Sequence, residues 1–203
     1  MAKKASRRVA RLGLALAILL VSGRLNIPLG PVPISFQVFA ILFCALLLGA
    51  RDAVLLQAAY VFLGLLGLPV FTRGGGFAYV LQPSFGYTLG FVAAAAVTGS
   101  LSRLLLRRLE TRRSEGLATR EMGFRETAGA FAAAALPGLL VIYLIGLPYM
   151  GLILRFYLSR PKDLTTILQI GFLTFIPTDL VQLVLAASAA ALLRLKLPRT
   201  FRS

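Results

Sequence analysis

Long apolar stretches, separated by short polar or glycine- and proline-rich breaks, follow one another along the whole 203-residue chain. Each stretch is close to the ~20 residues that an α-helix needs to cross a bilayer. Proline, glycine and charged residues in the breaks favour turns over continued helix. We therefore predict six membrane spans, at about 9–25, 34–50, 52–68, 85–106, 127–147 and 167–195. The pattern predicts an all-α, polytopic membrane protein, a compact six-helix bundle forming a single domain over residues 1–203.

The composition agrees with a membrane protein. Hydrophobic residues make up 58% of the chain, the mean hydropathy is +0.85, and only 14% of residues are charged. A soluble domain carries about 25% charged residues. The net charge is +15, from 22 basic and 7 acidic residues. In a soluble protein this excess would suggest nucleic acid, but in a membrane protein it is explained by cytoplasmic loops and anionic lipid headgroups.

The basic residues also predict the orientation. They fall mainly in the N-terminal segment, the turn at 51–52, the loop at 103–126 and the C-terminal tail. With six spans these four segments share one side of the membrane, and the positive-inside rule makes that side the cytoplasm. Both termini are then cytoplasmic. The first 23 residues also resemble a secretory signal peptide, but we favour an uncleaved span because its removal would disrupt this charge pattern.

The glycine-rich segment 67–90 joins the third and fourth spans and lies outside in this orientation. Irregular backbone at membrane depth is tolerated only where it is buried in protein or lines a cavity, so the segment is a candidate ligand site. Arg73 precedes Gly74, Gly75 and Gly76, whose backbone N–H groups could bind an anion together with the guanidinium. The alternative is a mobile external loop with a solvated arginine, and spacing alone does not separate the two.

Aromatic residues cluster around the same segment. Phe71, Tyr79 and Tyr87 belong to it, and Tyr143 lies in the fifth predicted span. They could form the apolar wall of a ligand pocket, because such pockets are mostly apolar with few polar groups. The alternative is an aromatic belt at the membrane interface. Gln37, near the start of the second span, is either a polar pocket group or simply the top of that helix.

Asp179 is the only carboxylate well inside a late predicted span. An ionisable group at membrane depth is costly to insert and therefore suggests function. Gln182 lies one turn further along, on the same face of a helix, and adds a second polar group. Together they could bind a ligand that carries both donors and acceptors. The alternative is a helix cap, because Asp179 follows Pro177 near a predicted helix start.

Enzyme motifs are missing from the sequence. It contains no histidine and one cysteine, Cys44, so neither a Ser–His–Asp triad nor a cysteine-based metal site is available. There is no Walker A sequence, so any use of ATP requires a partner protein. We predict no enzyme activity, cofactor or metal. On the first span, Gly13 and Ala17 are four residues apart, a spacing that lets another helix approach closely; ordinary packing within the bundle is the alternative.

Three blocks of sequence carry a resemblance to a known family. They are IPLGPVPISFQVFAILFCALLLGARDA at 27–53, YVFLGLLGLPVFTRGGGFAYVLQPSFGYTLGF at 60–91, and the pair VIYLIGLPYM at 141–150 with FIPTDLVQLVLAA at 175–187. In their order and spacing the chain resembles the BioY family, the biotin-specific substrate-binding (S) components of energy-coupling factor transporters.

The resemblance implies a function and a set of partners. It implies that the protein binds biotin from the outside, in a pocket capped by the loops between spans one and two and between spans three and four. Transport would require a membrane-embedded coupling subunit and two ATP-binding-cassette ATPases, in the cell membrane of a prokaryote. Family members present small residues of the first span to the coupling subunit, a position that Gly13 and Ala17 match.

The last block departs from the family pattern P-G-D-x-x-K, because here it reads Pro177-Thr178-Asp179-Leu180-Val181-Gln182. We expect Asp179 to accept the ureido N–H groups of biotin and Gln182 to donate to the ureido carbonyl. The backbone at 74–76, with Arg73, is expected to bind the carboxylate. The alternatives are an S component for another small carboxylated vitamin, and a stand-alone small-solute carrier.

Overall fold

A computed structural model describes residues 2–28, 32–114, 123–159 and 162–196. The basic residues at 199 and 202, and those at 120 and 160, lie outside the described residues. The helices are α1 (Ala2–Arg24), α2 (Gln37–Leu48), α3 (Ala50–Leu65), α4 (Phe85–Ser114), α5 (Phe124–Leu152), α6 (Leu164–Leu168) and α7 (Ile176–Lys196). Two short strands, β1 (Asn26–Ile27) and β2 (Ile34–Ser35), pair antiparallel between α1 and α2. The prediction of an all-α bundle is confirmed.

Three helical stretches among the described residues are long and apolar enough to cross a membrane, namely Phe85–Thr111, Phe124–Tyr157 and Leu164–Lys196. The last two include π-helical turns at Ile153–Tyr157 and Gln169–Leu173. They extend beyond the predicted spans 127–147 and 167–195, because helix continues past the apolar core of each segment.

The predicted spans 34–50 and 52–68 are occupied by shorter helices. The 12 residues of α2 and the 16 of α3 are about 18 and 24 Å long, less than the ~30 Å hydrocarbon core. Residues 34–36 form β2 and a turn, and residues 66–68 form the turn that ends α3. The apolar pattern does not distinguish these segments from helix.

The core of the bundle lies around α2, which contacts α1, α3, α4, α5 and α7. Apolar residues cover most of its circumference, as expected for a helix surrounded by others. Its Ala40, Leu42 and Ala45 are fully buried, and Cys44 is buried beside them. The small residues on α5 and α7 let these helices approach closely around α2.

Several helix termini that carry charged residues lie together at one end of the bundle. Arg8 of α1 pairs with Asp52 of α3 at 2.5 Å, and Arg194 of α7 pairs with Glu110 of α4 at 3.2 Å. Arg103 donates to the Leu48 carbonyl at the end of α2, 3.0 Å away. The N-terminus of α1, the α2–α3 turn and the C-terminal ends of α4 and α7 therefore lie together, as the charge pattern predicts for one side of a membrane.

Candidate functional site

A cavity lies at the opposite end of the bundle. Its volume is about 500 Å³ when the solvent at its opening is included. Only about 40 Å³ of this is wide enough to hold the centre of a water molecule. It is lined by residues of the β1–β2 segment, the glycine-rich segment and helices α2, α4, α5 and α7: Val32, Pro33, Ser35, Gln37, Val38, Thr72, Tyr79, Ser84, Tyr87, Thr88, Phe91, Ile142, Tyr143, Phe175 and Asp179. Nine of these fifteen residues carry a polar group and six are apolar, so the cavity can both pack against a small molecule and orient it through hydrogen bonds.

Asp179 is the carboxylate of this cavity. It lies in the first turn of α7, and 7% of its surface is exposed. The Tyr143 hydroxyl on α5 donates to its Oδ2 at 2.5 Å, and the Gln182 amide lies 3.4 Å from its Oδ1. A helix cap would accept hydrogen bonds from backbone N–H groups, whereas both partners of the Asp179 carboxylate are side chains. Asp179 is therefore not a helix cap in this structure. A carboxylate offers about four lone-pair positions, and those not used by Tyr143 and Gln182 can accept from a ligand.

Gln182 is buried beside Asp179 but is not among the described residues that line the cavity. Its Nε2 donates to the Ser35 carbonyl at 3.1 Å, and its Oε1 accepts from the Phe39 backbone N–H at 3.0 Å. Both partners belong to the β2–α2 segment. The amide therefore fastens that segment to α7, and the Nε2 expected to donate to a ligand already donates to backbone.

Gln37 begins α2 and lines the cavity. Its Nε2 donates to the Tyr60 hydroxyl at 2.9 Å, which in turn donates to the Val70 carbonyl at 2.7 Å. Its Oε1 accepts from the Ser35 hydroxyl at 3.1 Å. This chain of bonds joins β2, α3 and the glycine-rich segment, and it fixes the orientation of the Gln37 side chain at the cavity wall.

Two predicted tyrosines join Tyr143 in lining the cavity. The Tyr79 hydroxyl bonds with those of Thr72 at 2.9 Å and Ser84 at 3.1 Å. The Tyr87 hydroxyl donates to the Gly171 carbonyl at 2.8 Å, and its ring meets that of Tyr143 edge-on at 6.2 Å. The aromatic wall at this site is therefore held in place by hydrogen bonds to three different parts of the chain.

The other residues predicted around the glycines lie outside the cavity lining. Phe71 is 1% exposed and packs in an aromatic cluster with Tyr60 and Tyr79. Arg73 is exposed on the surface. We place neither in contact with a ligand on this geometry, and their role in binding stays a prediction.

The three glycines build a tight turn. The N–H of Gly74 donates to the Phe71 carbonyl at 3.2 Å, and the N–H of Gly76 donates to the Gly64 carbonyl at 2.7 Å. Gly74 and Gly76 have φ of 111° and 100°, a region that favours glycine. A Cβ at Gly75 would collide with the Leu68 carbonyl. The backbone packs onto the end of α3, so two of the three N–H groups predicted to bind an anion are already paired.

Several cavity residues were not predicted. These are Thr88 and Phe91 on α4, Ser84 immediately before α4, and Thr72 in the glycine-rich segment. Ser84, Thr88 and Phe91 follow the i, i+4, i+7 spacing of one helix face, so a search for that spacing at the start of the fourth span could have found them. Nothing in the local sequence places Thr72 or Phe175 at the same cavity.

Gly13 and Ala17 lie on the exposed side of α1, and a Cβ at Gly13 would meet nothing within 4 Å. The opposite side of α1, with Ala15, Leu19 and Ser22, packs into the bundle. The interpretation of this pair as ordinary packing within the bundle is therefore wrong. The pair is open to a neighbour in the membrane.

Comparison with known proteins identifies the family. The model of the BioY family matches residues 1–199. A probable biotin transporter BioY of Lysinibacillus sphaericus is 35% identical over 92% of this chain and 84% of its own. The biotin transporter BioY of Thermotoga maritima is also 35% identical, over 94% of this chain and 96% of its own.

A solved structure shares the fold. The crystal structure of the S-component for biotin from an ECF-type ABC transporter superposes with a TM-score of 0.69, at 24% identity, over 100% of this chain and 99% of that one. The chain belongs to the BioY family.

Proposed function

We propose that this BioY-family membrane protein is the substrate-binding subunit of an ECF-type vitamin transporter and that its ligand is biotin. The observation that carries the proposal is the buried carboxylate of Asp179, held by Tyr143 at a cavity whose wall combines apolar and polar side chains. A neutral ring that offers an N–H donor satisfies such a carboxylate, and its faces can pack against the apolar part of the wall. The ureido ring of biotin has this chemistry, and two relatives that span nearly the whole chain are named as biotin transporters.

In the proposed complex one ureido N–H group donates to Asp179, and the bicyclic ring packs against Tyr87 and Tyr143. Because the two N–H groups of the Gln182 amide donate to the Ser35 carbonyl and to Asp179, another donor has to serve the ureido carbonyl. The Gln37 amide, which gives one of its two N–H groups to Tyr60, and the hydroxyl of Thr88 line the same cavity and supply such donors.

The carboxylate tail extends towards the glycine-rich segment in this arrangement. The hydroxyls of Thr72, Tyr79 and Ser84 form a connected group at that side of the cavity, and each can donate to a carboxylate oxygen. Arg73 and the backbone at 74–76 remain the predicted charged and backbone donors for the tail. They reach it only after the segment rearranges, since they lie outside the cavity lining.

The cavity has to widen when biotin binds. The volume that admits the centre of a water molecule, about 40 Å³, is enough for a few waters and too narrow for a bicyclic ring. The β1–β2 segment and the segment 67–84 cover the cavity without long helices of their own. We propose that these two segments separate to admit biotin from outside, with the end that carries Arg8, Arg103 and Arg194 in the cytoplasm.

Transport is proposed to need a coupling subunit and two ATP-binding-cassette ATPases in a prokaryotic cell membrane. The outward-facing Gly13 and Ala17 of α1 offer a close approach to a helix of the coupling subunit. The sequence has no Walker A motif, so the energy for uptake comes from partners in this arrangement. Uptake that persists in cells lacking any such ATPase would favour the stand-alone carrier instead.

Calorimetric titration of purified protein in detergent tests the ligand. We expect one-to-one binding of biotin and much weaker binding of an analogue methylated on the ureido nitrogens, since methylation removes the donor to Asp179. Other small carboxylated vitamins serve as competitors. A monodisperse sample that binds one of these and not biotin would show that Gln182, in place of the lysine usual in the family, accompanies a different substrate.

A further inference from the structure

A second concave surface lies between α4 and α5, at the end of the bundle away from the cavity. This open surface, called here the α4–α5 groove, has a volume of about 1220 Å³ when the solvent at its mouth is included. Its described lining residues are Leu104, Leu105, Arg107, Arg108, Leu109, Thr111, Arg125, Glu126, Gly129, Ala130 and Ala133. Tyr87 at the cavity and Arg107 in the groove are about 20 residues apart on one helix. That is about 30 Å, the thickness of the hydrocarbon core.

The groove has one apolar part and one charged part. Leu104, Leu105 and Ala133 line the part nearer the middle of the helices, and Leu104 is 44% exposed. A Cβ at Gly129 would meet nothing within 4 Å, so the floor of the groove is open. This open apolar surface suits contact with a hydrocarbon chain.

The charged part lies towards the helix ends. Arg107 and Arg108 of α4 and Arg125 of α5 line it, together with one acidic residue, Glu126. Three arginines against one glutamate give the described residues of this rim a net charge of +2. Arginine presents a planar set of donors that matches a phosphate, and the rim lies about one hydrocarbon thickness from the cavity.

We propose that the α4–α5 groove binds an anionic phospholipid, with its phosphate among the three arginines and an acyl chain along Leu104 and Ala133. The shape and the charge point to the same occupant. A soluble phosphate would use the arginines and leave the apolar part exposed to water, and a zwitterionic lipid would gain little from a rim of net positive charge. Basic pockets between helices on the cytoplasmic side are sites of this kind.

Native mass spectrometry of the purified protein tests the proposal, with phosphatidylglycerol and phosphatidylcholine of identical acyl chains as probes. We expect one phosphatidylglycerol to bind at least tenfold more tightly than phosphatidylcholine. Replacing Arg107, Arg108 and Arg125 together by glutamine should remove that preference, since each basic residue near a lipid surface contributes about fivefold in affinity. Arg155→Gln is the matched control, because Arg155 is exposed and outside the groove.

A second variant blocks the groove without changing its charge. Gly129→Leu places a large side chain in the open floor of the groove and raises the helix propensity of α5, so this variant should fold but no longer bind the lipid. Gly129→Ala adds only a methyl group and should still bind the lipid. Equal binding of the two lipids, or lipid retained by both the triple variant and Gly129→Leu, would overturn the proposal. So would displacement of the lipid by millimolar inorganic phosphate, or a protein dimer that forms in place of the lipid adduct.

Discussion

Replacing Asp179 by asparagine should weaken biotin binding about 10- to 150-fold while leaving the protein folded. Asparagine has nearly the same size as aspartate, and its Oδ1 can still accept the Tyr143 hydroxyl that now donates to Asp179 Oδ2 at 2.5 Å. The substitution removes the charge and replaces one acceptor oxygen with an NH₂ group. That group is a donor and faces the donors of the ligand.

The size of this loss in affinity follows from the lone pairs of Asp179 that no protein group uses. Tyr143 and, at 3.4 Å, Gln182 are its partners, so the lone pairs directed into the cavity are available to a ureido N–H. A hydrogen bond to a charged group contributes about 1.5–3 kcal/mol. The loss of one such bond corresponds to about 10- to 150-fold in Kd. Because the carboxylate is buried, water does not readily replace the lost hydrogen bond.

Calorimetric titration of biotin into each purified variant measures the effect. The matched control is Asp163→Asn, because Asp163 is an exposed aspartate that caps α6 through Thr166. Asparagine is an equally good helix cap, so the control should bind biotin as the unmodified protein does. A Kd for Asp179→Asn within threefold of the unmodified protein would refute the assignment of Asp179, and so would an equal loss in both variants.

Three further predictions concern stability. Gln182→Leu should lower it by about 2 kcal/mol, seen as a lower thermal midpoint in detergent, since two backbone groups of the β2–α2 segment lose their partner. Gly86→Ala should cost about 1–3 kcal/mol in the same assay, because the new methyl group would collide with the Tyr149 side chain. Hydrogen bonds from Thr166 hold the pKa of Asp163 below its ordinary value. A lowered folded-state pKa gives stability that is present above the ordinary pKa and lost as pH falls through the folded pKa. The Thr166 amide should therefore lose protection from hydrogen exchange in acid, after correction for the intrinsic rate.

Each of these predictions has a control within the chain. Gln169→Leu removes an exposed amide and should leave the thermal midpoint unchanged. Gly129→Ala adds a methyl group in open space, so it should be neutral or stabilising. Asp163→Asn should abolish the acid dependence at Thr166. Midpoints that fall equally in a variant and its control, or protection at Thr166 that does not change with pH, would contradict the corresponding argument.

The helical bundle was predictable because the length of each hydrophobic segment is visible in the sequence. The sequence also indicates Asp179 as a candidate, since a carboxylate in an apolar segment is unusual, and the structure has it buried at the cavity. The role of Gln182 could not be predicted, because its backbone partners lie about 145 residues away in the sequence and no local sequence pattern indicates them. The sequence of the glycines at 74–76 allows an anion site or a mobile external loop. Their sequence fits a tight turn equally well, and only the positions of the Phe71 and Gly64 carbonyls decide which groups are paired.

The position of Cys44 makes the chain a convenient background for site-specific labelling. It is the single cysteine of the sequence, and only 3% of its surface is exposed at the centre of the bundle. A maleimide reagent that cannot enter the bundle will therefore react with an introduced thiol and leave the native one intact. In two separate variants, Thr72 or Arg107 is replaced by cysteine and Cys44 is kept. Labelling of each variant by the maleimide in intact cells would report which end of the bundle faces the medium. Spin labels at such positions would follow the opening of the cavity without first removing a native thiol.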